Sequence, residues 1–212
     1  MFSRGPVIVL FAVVIVAGLF VFSGVISIRT ADTHNTTVAI QEYNTWVTEQ
    51  KQFDHEVRSD LQRISTDTTM YNTKIAGNAT DLATLRQNVA DEQQLVNAWE
   101  GELTRLNFAT DGFEKNTSAL TYGNNPKTQQ EVALMVQYMR IYTVSMGNAQ
   151  QHLIDYTNNA GLYVSTDDPD YWNAAYLQSA MSARQLAVSS LSDGDAALEN
   201  ITAQAQLLQQ SQ

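Results

Sequence analysis

Residues 126–157, PKTQQEVALMVQYMRIYTVSMGNAQQHLIDYT, place Val132, Met135, Met139, Tyr142, Met146, Ala149, Leu153 and Tyr156 in alternating three- and four-residue steps. That spacing holds the apolar side chains on one stripe of an α-helix. A half-buried strand needs a period of two, which the stretch lacks. Asn125-Pro126 supplies the start: proline suits the first helical position, and the residue before it is pushed out of the α region, as an N-cap should be. Such a stripe is the seam of a helical bundle or coiled coil. Met135, Met139 and Met146 therefore read as core filling and not as a soft-metal surface.

Working outward, the same pattern recurs upstream at Leu82, Leu85, Val89, Leu95/Val96, Trp99, Leu103 and Leu106, with Glu92 where an apolar residue is expected. Gly77-Asn78, the stretch from Thr110 to Asn125 with Gly112 and Gly123, and Asn158 to Asp168 with Gly161 read as breaks. Four helices follow, at about 29–76, 79–108, 126–157 and 169–208. In the first, Val47, Phe53, Val57, Leu61, Ile64, Tyr71 and Ile75 are expected inward, and Glu49, Lys51, Glu56 and Arg63 outward. Roughly 48 residues at ~1.5 Å each make a rod of about 70 Å. The fourth carries Leu177, Met181, Val188, Leu191, Leu198 and Ala205 beside a small-residue line of Ala180, Ala183, Ala187, Ser190, Gly194 and Ala197. That line lets two helix backbones approach closely, within one bundle or between protomers. Ser192-Asp193-Gly194 is a candidate break in this helix.

The N-terminus has a different character. Val7 to Ile28 is an uninterrupted apolar run with Arg4 before it, Arg29 after it and no charge inside. As a helix it spans roughly 33 Å, enough to cross a hydrocarbon core of about 30 Å. The positive charge on its short side predicts a cytoplasmic segment at 1–6, a transmembrane helix at 7–28 and an extracytoplasmic part at 29–212. Val21-Phe22-Ser23 and Val25-Ile26-Ser27 offer small residues for a signal peptidase, but the run exceeds a signal h-region of ~7–15 residues, which favours retention.

Composition narrows the function. The net charge is −10, which excludes a broad basic surface for nucleic acid or anionic lipid. There is no cysteine, hence no disulfide, no thiolate nucleophile and no Cys-ligated metal. His34, His55 and His152 lie in separate segments without metal-ligand spacing. Asp167-Asp168-Pro169-Asp170 reads as a helix cap and dipole partner, because the EF-hand calcium spacing is missing. With no phosphate loop, nucleophile elbow or zincin helix, the chain reads as a non-enzyme that needs no cofactor or metal.

Four sequons, at Asn35, Asn78, Asn116 and Asn200, are candidates for glycosylation, Asn78 and Asn116 in expected turns. Tyr156, Tyr163, Tyr171, Trp172 and Tyr176 bracket the connection between the third and fourth helices. They could gather into an aromatic ligand site, or else cap the end of the core with their hydroxyls in water.

A membrane helix continuing into an extracytoplasmic four-helix bundle resembles the ligand-binding region of chemoreceptors and sensor kinases. That resemblance implies a ligand-binding ectodomain, but the second membrane helix of those receptors is missing, and the chain ends in the polar run Gln209-Gln210-Ser211-Gln212. Met1-Phe2-Ser3-Arg4-Gly5 resembles the short basic leader of archaeal pilin-like filament subunits, whose apolar helices form a filament core once the leader is removed. Proline follows the would-be cut, and Leu10 stands where many such subunits carry glutamate.

The expectation is an all-α protein: an N-terminal transmembrane helix continuing into an elongated four-helix bundle or coiled-coil ectodomain. It would be a structural or interaction component of a cell-surface assembly, associating with itself or with other membrane proteins. Its helix–helix contacts would include Ala180, Ala183, Ala187 and Gly194. The filament subunit and the ligand-binding sensor are the alternatives.

Overall fold

A computed structural model of the chain describes residues 31–74, 79–120, 126–165 and 173–210. They form four long helices: α1 (Ala31–Lys74), α2 (Ala79–Ser118), α3 (Pro126–Tyr163) and α4 (Ala174–Gln210). Among the described residues there is no strand, so the fold is all-α. The apolar run 7–28 lies outside the described residues, and none of the described helices is long and apolar enough to cross a membrane.

Cross-helix contacts give the topology. Trp46 meets Thr110 while Arg63 meets Asp91, so α1 and α2 are antiparallel. Gln93 meets Asn158 while Arg140 meets Glu114, which makes α2 and α3 antiparallel. Arg58 faces Asp195 and Tyr43 bonds Thr202, so α1 and α4 are antiparallel as well. Gln50 reaches Tyr142 across the diagonal. The bundle is up-down-up-down, and the 44 residues of α1 give it a length of roughly 66 Å.

The seams on α2 and α3 are continuous over five heptads. Every position from Leu82 through Leu85, Val89, Glu92, Val96, Trp99, Leu103, Leu106, Thr110 and Phe113 to Thr117 is buried. The matching series on α3 runs from Thr128 through Val132 and Met135 to Ala160 and Tyr163. Both helices therefore outlast their expected ends. α2 does not stop at 108, and Asn116 lies in its last turn and not in a loop. α3 does not stop at 157. A glycine inside a helix costs about 1 kcal/mol, whereas burying a side chain such as Phe113 or Tyr163 is worth about 1.5–3 kcal/mol. Packing therefore carries both helices through Gly112 and Gly161. Beyond α3, Arg86 Nε donates to Val164 O at 2.7 Å and its terminal nitrogen to Ser165 O at 2.9 Å, covering carbonyls left open by the helix end.

α1 departs from expectation in which residues it buries. Ala39, Tyr43, Trp46, Gln50, Phe53, Val57 and Ile64 form its seam, whereas Val47 and Leu61 are half-buried on its flank. α4 starts at Ala174, with Asn173 Oδ1 accepting from Ala175 N at 2.9 Å as an N-cap. The expected start at Asp168-Pro169 lies outside the described residues.

On α4 the small line is the seam: Ala180, Ala183, Ala187, Gly194 and Ala197 are buried, followed by Ile201, Ala205 and Leu208. Of the larger residues beside it, Met181 and Val188 are 56% and 49% exposed, and Leu177, Leu191 and Leu198 are half-buried. The reason is phase. The stripe holding these larger residues also holds Arg184, Asp195 and Thr202, whereas the small line contains no charge. Turning the larger stripe inward would bury an arginine and a carboxylate. With small residues between them, α3 and α4 approach each other more closely than any other pair. Gly194 lies against the end of Met146, and the helix is unbroken through Ser192-Asp193-Gly194.

Candidate functional site

The polar groups of the interior converge on α1. Trp46 Nε1 donates to Thr110 Oγ1 at 2.9 Å, and that hydroxyl donates in turn to Leu106 O at 2.9 Å. Trp99 Nε1 donates to Asp60 Oδ2 at 2.7 Å. Gln50 Nε2 donates to Tyr142 Oη at 3.3 Å, and the Trp46 ring meets the Tyr142 ring edge-on, 5.8 Å between centroids. Phe53 packs edge-on against Trp99 at 6.3 Å. Each indole thus buries its face while its N–H is satisfied.

Two turns along from Gln50, Arg58 Nε donates to Asp54 Oδ2 at 2.6 Å, and Arg58 Nη2 lies 3.6 Å from Asp195 Oδ1 on α4. Two carboxylates share one guanidinium across the wide seam between α1 and α4. Burial pushes the Asp195 carboxyl up; Arg58 pulls it down, but Asp54 and Glu199 add to the rise. Burial is the largest influence on Arg58 and works against its charge, yet the bond to Asp54 together with the nearby charges of Asp54 and Asp195 outweighs it and the pKa is raised. Burial raises the Tyr142 hydroxyl, assisted by Asp54 and Asp195 and opposed by Gln50 and Arg58. Tyr142 is therefore a neutral hydrogen-bonding group and not a phenolate base. Tyr43 is also raised by burial, with its bond to Thr202 partly offsetting this. The arrangement fixes helix register and offers no open, poised acid–base pair.

The candidates drawn from sequence fall in separate places. Tyr156 and Tyr163 occupy seam positions of α3 and are buried, Tyr176 is exposed in the first turn of α4, and Tyr171 and Trp172 lie outside the described residues. Asn35 is half-buried near the start of α1, Asn116 is exposed, and Asn200 is exposed with its amide donating to Ala196 O at 2.9 Å. Asn78 and the acidic run 167–170 lie outside the described residues. Among the described residues, no group of three or more His, Asp or Glu is placed to hold a metal ion.

The sequence pattern already sets Glu92 in the seam, but the buried polar seam positions Thr36, Gln50 and Glu131, and the half-buried Asp60, were missed in sequence because apolarity was the signal followed. Their one visible mark is phase: each continues a three–four repeat whose other members are apolar. Glu131, 3% exposed, has Lys127 Nζ 3.7 Å away. Comparison with protein-family models, curated proteins and solved structures finds no match to this chain.

Proposed function

We propose that this is a single-pass protein anchored with its N-terminus in the cytoplasm, whose helical bundle stands outside the membrane as a structural or interaction component of a cell-surface assembly. The observation that carries the reading is the junction in the chain. A charge-free run long enough to span a bilayer ends at Ile28, and α1, the first helix of a bundle roughly 66 Å long, begins at Ala31. A bundle on so short a tether projects from the membrane as one arm. Its interior is packed and hydrogen-bonded, which suits a spacer or docking scaffold better than a catalyst. Membrane and protein partners are implied, and nucleic acid is not, given the net charge of −10. Glycans on Asn116 and Asn200, both exposed on helices, belong to this reading.

The test is the intact mass of the protein from its native membranes, combined with protease digestion of intact cells. The expected result is a chain retaining Met1 to Gly5, carrying glycan increments, with residues 31–212 cut from outside. A chain protected in intact cells and cut only after lysis sinks the reading. The filament subunit is the second reading, favoured by the five-residue basic leader Met1-Phe2-Ser3-Arg4-Gly5, and its signature is a mass beginning at Pro6.

A further inference from the structure

α4 carries a second heptad stripe beside the one that packs on α3. Leu177, Met181, Arg184, Val188 and Leu191 follow four-, three-, four- and three-residue steps, which align them along one side of the helix. In the bundle this stripe is open: Met181 is 56% and Val188 49% exposed, and Leu177, Arg184 and Leu191 are half-buried. Elsewhere Phe108 stands alone on α2, and Ile141 and Val144 form only a pair, three residues apart on α3.

Charge indicates what fits. Arg58, Arg63, Arg105 and Arg140 are ion-paired, and Arg86 covers the carbonyls at the end of α3. Arg184, at the centre of the open stripe, has no carboxylate within ion-pair distance among the described residues, although the chain as a whole is acidic. A guanidinium flanked by apolar side chains matches a helix that presents a carboxylate between apolar residues at the same spacing.

We propose that the Leu177–Met181–Arg184–Val188–Leu191 stripe of α4 docks an amphipathic helix of another protein, with an Asp or Glu of that helix on Arg184 and apolar residues on Met181 and Val188. This deepens the surface-assembly reading and rests on it. A second copy is the poorer occupant, because a two-fold axis centred on the stripe sets Arg184 against its own copy, where like charges repel. The small line cannot be the docking surface, since Ala180, Ala183, Ala187 and Gly194 are already buried against α3. The bilayer is out of reach as well. The stripe is level with the far half of α1, about 50 Å along the bundle from Ala31 at ~1.5 Å per residue.

The test is a benzophenone side chain placed at Val188 in the full-length protein, photolysed in native membranes, with the same group at Phe108 as control. The expected adduct at 188 is a peptide of a different protein that reads as an amphipathic helix with a carboxylate. Arg184→Glu should cut its yield about tenfold, the change expected when an ion pair becomes a repulsion worth about 1.4 kcal/mol, and Arg184→Lys should keep most of it. The proposal is overturned if position 188 labels no better than 108, if the adduct is within the same chain or with a second copy, or if Arg184→Glu changes nothing. Native sizing separates the two levels. A silent position 188 within a large complex overturns the docking stripe and leaves the surface-assembly reading standing, whereas a lone monomer removes both.

Discussion

α1 and α4 occupy neighbouring corners of one bundle and are held there by different means. α1 buries Tyr43, Trp46, Phe53, Val57 and Ile64 and shares side-chain hydrogen bonds with α2 through Trp46, which donates, and Asp60, which accepts, with α3 through Gln50 and with α4 through Tyr43. α4 buries mostly alanine and one glycine, and gains its hold by backbone proximity to α3. A large side chain with a directed polar tip specifies register, because a one-turn slip leaves its N–H or amide facing carbon. A small-residue seam specifies distance: it tolerates no added volume and says little about register. A helix held by bulk should fail by deletion, and a helix held by closeness should fail by addition.

The largest effect is therefore expected on the α1 side. Trp99→Ala removes the indole that Phe53 packs against and leaves Asp60 without its donor, and should cost about 4 kcal/mol of stability in urea unfolding, in the range for a buried aromatic cut to alanine. Trp99→Phe keeps the ring and loses the hydrogen bond, so a loss of about 1 kcal/mol is expected. If the two variants are equally destabilised, the hydrogen bond and not the bulk carries α1, and the contrast with α4 loses its meaning.

The converse break is Gly194→Leu. A Cβ there already meets the end of Met146 and lies 3.6 Å from Ser145 Cβ, so a full side chain has to force α3 and α4 apart. Overpacking of this kind costs about 1–3 kcal/mol. Gly112→Ala is the matched control in α2, where an added Cβ finds nothing within 4 Å. It should stabilise by about 1 kcal/mol through helix propensity alone. Opposite signs at two helical glycines, read by thermal unfolding, would separate the seam glycine from the incidental one. The same sign at both would show that close approach is not what holds α4.

These differences also explain how far the sequence could be read. On α2 and α3 the seam was legible because most of its members are apolar, so hydrophobicity and burial coincide from Leu82 to Leu106 and from Val132 to Tyr156. On α1 they diverge. Gln50 and Asp60 sit in phase with Trp46, Phe53 and Val57, but their partners Tyr142 and Trp99 are far away in the chain, and the eye settles on Val47 and Leu61 instead. On α4 a stripe of larger apolar residues and a stripe of small ones run side by side, and what decides between them is that Arg184 and Asp195 share the phase of Met181 and Val188. The helix ends at Ser118 and Tyr163 were missed because glycine was given more weight than the buried Phe113 and Tyr163 that carry the helices past it. The aromatic candidates dispersed for the same reason: Tyr156 and Tyr163 belong to the repeat that defines α3.

The smallest expected effect tests the polar clasp that joins the two helices. Asp195 has its carboxyl raised by burial, with Asp54 and Glu199 adding to the rise and Arg58 opposing it. A carboxyl whose folded value lies above its unfolded one favours the folded state most when protonated. Its contribution is complete below the ordinary carboxylate range and is lost as pH rises through the raised folded value. Asp195→Asn cannot lose this contribution. The variant should match the parent in Tm near pH 3 and pull ahead as pH rises towards 7, while Arg58 keeps its 2.6 Å bond to Asp54 and is not orphaned. Asp54→Asn removes that shorter bond and should lower Tm at pH 7. If Asp195→Asn instead falls behind the parent at neutral pH, the 3.6 Å contact to Arg58 outweighs the burial of the carboxylate, and α4 is held to α1 by charge as firmly as α1 is held to α2 by its indoles.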